Sequence, residues 1–256
     1  MLQGTYPRRD FVESSGARSQ LLGNCKPGEP MYGGRIFKLS ALRGDWKHHV
    51  NTFKLKQYYN SNNTCHCCRA SRVDRACLYT DFSANAAWKR TIRTHREFLN
   101  ESIGEPLNAL ILTAGFHYSM LRFDSMHSVN LGCGLFTNGG ALFELFKIGW
   151  FPGDSDAAQW RAADQNFRCF LQKHKIACSQ PAFKSWMLVL RGEEYCYFAT
   201  KAYNSRVITS WLAEEANKAA LQHPGNRRIS LTAICVWHLH SWYSQLEQYG
   251  RYLSQA

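Results

Sequence analysis

The sequence is short of acid. It holds 19 Asp and Glu against 31 Lys and Arg, a formal net charge of +12 over 256 residues. Such an excess suits a polyanionic partner, most often nucleic acid, although many basic proteins bind none. No run of eighteen apolar residues occurs, so no membrane-spanning helix and no membrane partner are expected. The opening ten residues, Met1 to Asp10, lack the apolar stretch of a secretory signal, so the chain is not expected to be secreted. Internal repeats and low-complexity tracts are also missing. What remains is 45% hydrophobic and 14% aromatic, which excludes general disorder and is enough for one large or two small domains with a real core.

Ten cysteines sit at 25, 65, 67, 68, 77, 133, 169, 178, 196 and 235. Three crowd into one tetrapeptide, and most others fall in apolar, helical-looking stretches. This distribution suits core thiols and one metal cluster in a nuclear or other reducing compartment better than a disulfide framework.

Residues 1–34 are rich in Gly, Pro, Ser and Arg without periodicity, and read as an irregular lead-in. Residues 35–45 look like a strand ending on Gly44 and Asp45, followed by a short helix over 46–59. Residues 86–99 read as a basic helix, and 106–120 are ambiguous between strand and helix. An apolar helix is expected over 141–146. Beyond 154 the pattern is helical throughout. Asp154 or Ser155 caps one helix, and Asn204 or Ser205 caps another. A last helix over 230–253 carries Leu231, Ile234, His238, Trp242, Leu246, Tyr249 and Leu253 at near-heptad spacing. The expected class is therefore α/β, with a mixed region over 35–153 and a helical region over 154–256.

Three constellations can carry chemistry. Asp124-Ser-Met-His127 puts a carboxylate and an imidazole on one side of a helical turn, with a plain capping role as the alternative. Asp45 closes an apolar strand, where active-site acids often project into a crevice. Together they suggest two carboxylates from neighbouring strands converging on a Mg²⁺ or Mn²⁺ site. Cys65-His-Cys67-Cys68 contains a Cys-x-x-Cys pair with the reach to share one Zn²⁺. No second pair follows at finger spacing, so Cys77, His66, His127 or Cys133 would have to complete the site, and a reduced thiol cluster on a loop is the alternative. Glu193-Glu194 and Glu214-Glu215 read as solvated acid pairs.

In this order, Gly44-Asp45, the cysteine pair and Asp124-Ser-Met126-His127-Ser-Val-Asn-Leu131-Gly132 resemble the CACTA-type (En/Spm-like) DDE transposases of eukaryotes. The last fragment is similar to that family's Asp-x-Met-His…Leu-Gly signature. The resemblance implies an RNase H-like mixed sheet followed by a helical insertion. It implies Asp45 and Asp124 as the first two catalytic, metal-binding acids, and Cys65, Cys68 and His127 as zinc-site candidates. It also implies DNA as partner, with Lys89, Arg90, Arg93, Arg96, Arg227 and Arg228 meeting phosphate, and a homo-oligomer is the accompanying expectation. Glu214, Glu215 and Glu247 lack the context of the family's third acid. The expectation is therefore a truncated copy, inactive alone. Two alternatives stay open: a non-catalytic zinc- and nucleic-acid-binding module, and a helical interaction protein.

Overall fold

The structure is a computed structural model that describes residues 41–113, 115–191 and 195–248. The lead-in over 1–34, the first part of the expected strand and the end of the last helix lie outside these residues. The class is mixed α/β and mostly helical, with two small two-stranded sheets among the described residues. The chain divides into two compact units, Met1–Phe123 and Asp124–Ala256.

The first unit is built on β1 (Leu42–Gly44) and β2 (Leu121–Phe123), which pair in parallel with Gly44 beside Phe123. Helix α1 (Trp46–Phe53) starts directly after β1. Asp45 caps it, its carboxylate accepting from the His48 N–H at 2.5 Å. The helix stops at Lys54, which takes the left-handed conformation and returns its N–H to Val50 O. Residues expected to form one basic helix over 86–99 are split instead. A 3₁₀ turn covers Ala87–Arg90, and α2 (His95–Glu101) begins only after Thr94. The break has a local cause. Thr94 and Glu97 form a reciprocal capping box, which fixes the helix start there. Over 106–113 and 115–120 no strand and no α-helix forms; turns lead to a short 3₁₀ segment at Tyr118–Met120. Phe53, Leu55, Phe98, Ile103, Phe116 and Leu121 belong to the core of this unit.

The second unit opens with a π-helical stretch, Met126–Cys133, that runs into α3 (Gly134–Lys147). The wide turn is bent at Gly132, whose backbone is not helical. Helix α3 continues through Gly139 because it packs directly on a neighbouring strand. A Cβ at Gly139 would stand 2.6 Å from the Tyr197 Cα. Helix α4 (Asp156–His174) is capped by Ser155, and buries Trp160, Ala163, Phe167, Phe170 and Leu171 on one face.

The region after 154 is not all-helical. β3 (Leu188–Arg191) and β4 (Tyr195–Phe198) form an antiparallel hairpin, with Cys196 and Phe198 turned inward. Helix α5 (Ala202–Gln222) starts earlier than expected, after Lys201 and without a side-chain cap, because Asn204 and Ser205 are buried inside its first turns. Helix α6 (Arg227–Gln248) buries Ile229, Ala233, Val236 and Tyr243, while Leu231 and Ile234 face outward. Its sequence offers two apolar stripes, and packing selects the one the heptad reading passed over.

Candidate functional site

The sequence-predicted acids occupy equivalent positions in the chain path. Each is the residue immediately after one of two parallel strands in register, Asp45 after Gly44 and Asp124 after Phe123. Each also meets backbone N–H groups three residues on. The His127 N–H donates to Asp124 Oδ1 at 2.8 Å, and His127 Nδ1 lies 3.0 Å from both carboxylate oxygens. Burial pushes the Asp124 pKa up. The His127 main-chain and ring hydrogen bonds and charge outweigh it, holding the carboxyl below the usual aspartate value. The capping alternative for Asp124 is therefore realised, and Asp45 accepts from the start of α1 in the same way. A capping carboxylate still has lone pairs for a cation, so capping and metal binding are compatible.

A shell of rings surrounds the end of β2. The Phe123 ring is met by Trp46 at 5.1 Å, His49 at 5.7 Å and His66 at 5.5 Å. His49 Nε2 lies 2.9 Å from Arg122 O, which ties α1 to β2. The sequence offers His66 only as a candidate to complete a zinc site, and His49 is not singled out there. The clue available was the position of His49, on the inward face of a helix that starts at Asp45.

The cysteine cluster is a tight loop. The Cys67 N–H donates to Cys65 Sγ at 3.3 Å. Hydrogen bonds from the Cys67 and Cys68 thiols pull the Cys65 pKa far down, and the same sharing raises those of Cys67 and Cys68. His66 does not join the thiols as a hydrogen-bonded partner. Its ring is 1% exposed, packs edge-on against Phe98 and Phe123, and has no hydrogen-bond partner at either nitrogen among the described residues. His127 belongs to the second unit and its ring is held by Asp124. Among the described residues no group of three or more His, Cys, Asp and Glu side chains is placed to hold a metal ion.

The basic residues separate into two kinds. Lys89, Arg90 and Arg96 are exposed on the first unit, and Arg227 and Arg228 open α6 on the second. Arg228 reaches Glu144 at 2.5 Å. Lys89 donates to Ser83 O at 2.7 Å. Arg93 is a correction. It is 5% exposed, and its guanidinium donates to Cys65 O, Cys68 O and Glu101. A fork of donors committed to two carbonyls and a carboxylate shapes the cysteine loop and is not available to phosphate.

The acid pair Glu214-Glu215 also divides. Glu214 pairs with Lys173 and His174. Glu215 is buried, accepting from Trp150 Nε1 at 2.9 Å and Lys218 Nζ at 2.6 Å, and is a core residue rather than a solvated one.

No helix among the described residues is long and apolar enough to cross a membrane. Comparison with family models, curated proteins and solved structures returned no match.

Proposed function

We propose that this chain is a transposase-derived DNA-processing domain of RNase H-like ancestry, inactive alone. The observation that carries the proposal is the pairing of β1 with β2. Two parallel strands in register, Gly44 beside Phe123, each hand the chain to an aspartate at the same end. Parallel strands that end together on acids are the arrangement in which two carboxylates can share a divalent cation. Asp45 and Asp124 would hold Mg²⁺ or Mn²⁺, which would polarise a phosphodiester oxygen and activate a water. The chain's own contribution is positioning. Backbone caps fix both carboxylates, His127 keeps Asp124 ionised, and the exposed Lys89, Arg90, Arg96, Arg227 and Arg228 supply charge for DNA phosphate.

The second reading is a non-catalytic nucleic-acid-binding module in which Cys65 and Cys68 hold Zn²⁺. It is favoured by one observation: the Cys65 thiol is held against Cys67 and Cys68 in one tight loop.

Duplex-DNA binding by the full chain across a salt series separates the two. The transposase-derived domain is expected to bind in a salt-sensitive way, with binding strengthened by Mn²⁺ in the wild type and not in Asp124→Asn. Binding indifferent to Mn²⁺ and to both aspartates selects the module. Absence of binding at low salt overturns both.

A further inference from the structure

The second unit contains a cavity of about 590 Å³ that neither acid nor the cysteine loop touches. That is a size that suits a small organic ligand. Its walls come from the loop after α4, the 3₁₀ turn before β3, β4, and the start of α5. Three features define the chemistry it would accept.

The first is Trp186. It lines the cavity and is 72% exposed, and its indole stacks on no other ring among the described residues. An exposed indole in a lining it shares with the apolar Pro181 and Met187 is a platform for a flat aromatic group.

The second is charge. Lys201 is the only charged residue in the lining, is exposed, and is paired with no carboxylate among the described residues. It also stands at the N-terminus of α5, a helix of 21 residues whose first turn receives no side-chain cap. Open N–H groups and an ammonium at one end of a cavity select an anion.

The third is a hydroxyl without a partner. Thr200 lines the same cavity and is half-buried, and its shielded Oγ1 makes no hydrogen bond among the described residues. The neighbouring amides are different. Asn204 Nδ2 donates to Gln180 Oε1 at 3.2 Å, and Ser179 Oγ donates to Asn204 Oδ1 at 3.3 Å. Those groups are fixed scaffold, and Thr200 is the polar group left over beside Lys201.

An aromatic platform and an anion-selecting helix start in the lining of one cavity describe one ligand chemistry. We propose that this cavity binds a nucleoside monophosphate unit, with the base on Trp186 and the phosphate at Lys201 and the first turn of α5. The unit can arrive as a free nucleotide or as an unstacked residue of a single DNA strand. The proposal goes beyond the reading of Asp45 and Asp124, which take no part in it.

The test is calorimetric titration of the full chain in EDTA, so that no divalent-metal site contributes. The probes are deoxyadenosine monophosphate, inorganic phosphate and a short single-stranded oligo(dA), each against wild type, Trp186→Ala and Lys201→Gln. Both substitutions are at exposed positions. Trp186→Ala is expected to weaken the nucleotide by at least about fivefold, the scale of one lost base stack. Lys201→Gln is expected to weaken it too, and to lower the salt slope for the oligonucleotide by about 0.7. If both the nucleotide and the oligonucleotide bind through these residues, the cavity takes either source. If only the oligonucleotide binds, and does so through Trp186 and Lys201, the strand is the source; if only the mononucleotide, the free nucleotide is. Binding of neither, equal binding of inorganic phosphate and nucleotide, or affinities unchanged in both variants would overturn the proposal.

Discussion

Gly44 lies beside Phe123 across two parallel three-residue strands, and an aspartate follows each of them. The strand pair is short, so the elements that lock it decide whether the two acids keep their places. Asp45 itself is one of them. It caps α1, and Ala at that position removes an acceptor from the first turn. Asp45→Ala is expected to destabilise the domain by about 1 kcal/mol, whereas Asp45→Asn, an equally good cap, is nearly neutral. Chemical denaturation of the two variants checks this, and equal losses in both would contradict the capping role.

His49 is the second lock. Its ring is buried, lies against Phe53 and Phe123, and Nε2 meets Arg122 O at 2.9 Å. His49→Ala opens a cavity and removes that hydrogen bond, at a cost of about 3 kcal/mol. His49→Phe keeps the volume and loses only the polar contact, so its midpoint in urea should fall between those of His49→Ala and the wild type.

Arg93 controls the cysteine loop. Its guanidinium holds the Cys65 and Cys68 carbonyls and pairs with Glu101. Arg93→Lys keeps the charge but not the fork, and is expected to cost about 2 kcal/mol. The loop should open as well. Cys65 should label faster with a thiol reagent in Arg93→Lys than in the wild type, and an unchanged rate would show that Arg93 does not shape the loop.

Part of this architecture was legible in the sequence. Gly44-Asp45 and Asp124…His127 do end strands, the α4 apolar spacing matches its buried face, and Ser155 caps that helix. What stayed hidden depends on long-range partners. The β3–β4 hairpin lies in a stretch that reads as helical, and only its pairing and its packing under α3 at Gly139 make it a sheet. Glu215 looks like a surface acid until Trp150 and Asn166, far off in sequence, surround it. Arg93 looks like part of a basic run until the cysteine loop folds over it. Packing on α6 chose between two apolar stripes of similar strength, a choice periodicity cannot make.

Gly139 gives a direct check on the second unit. Any side chain there meets backbone, with a Cβ 2.6 Å from Tyr197 Cα and 2.9 Å from Cys196 O. Backbone cannot rotate away, so Gly139→Ala should destabilise by about 3 kcal/mol despite its higher helix propensity. Gly140→Ala, with open space around its Cβ position, should be neutral or slightly stabilising. Thermal melts of the pair separate close packing from propensity.

Glu214 sets a pH dependence. Burial pushes its pKa up, but Lys173 and His174 outweigh this and hold it below the ordinary glutamate value. A carboxyl with a depressed folded-state pKa binds protons more readily when unfolded. Its contribution is therefore complete above the ordinary pKa and is lost as pH falls through the depressed one. Glu214→Gln should lower stability at neutral pH and converge with the wild type in acid. Parallel stability curves across that range would exclude the linkage.

The proposed sharing of one divalent cation by Asp45 and Asp124 is read out by Mn²⁺ affinity in electron paramagnetic resonance. The variants are Asp45→Asn, Asp124→Asn and the double substitution, chosen because Asn preserves a cap. A shared ion predicts that each single substitution weakens Mn²⁺ by about tenfold or more, and that the double is no worse than roughly the weaker single. Affinity that is unchanged in the singles, or losses that simply add, would contradict it.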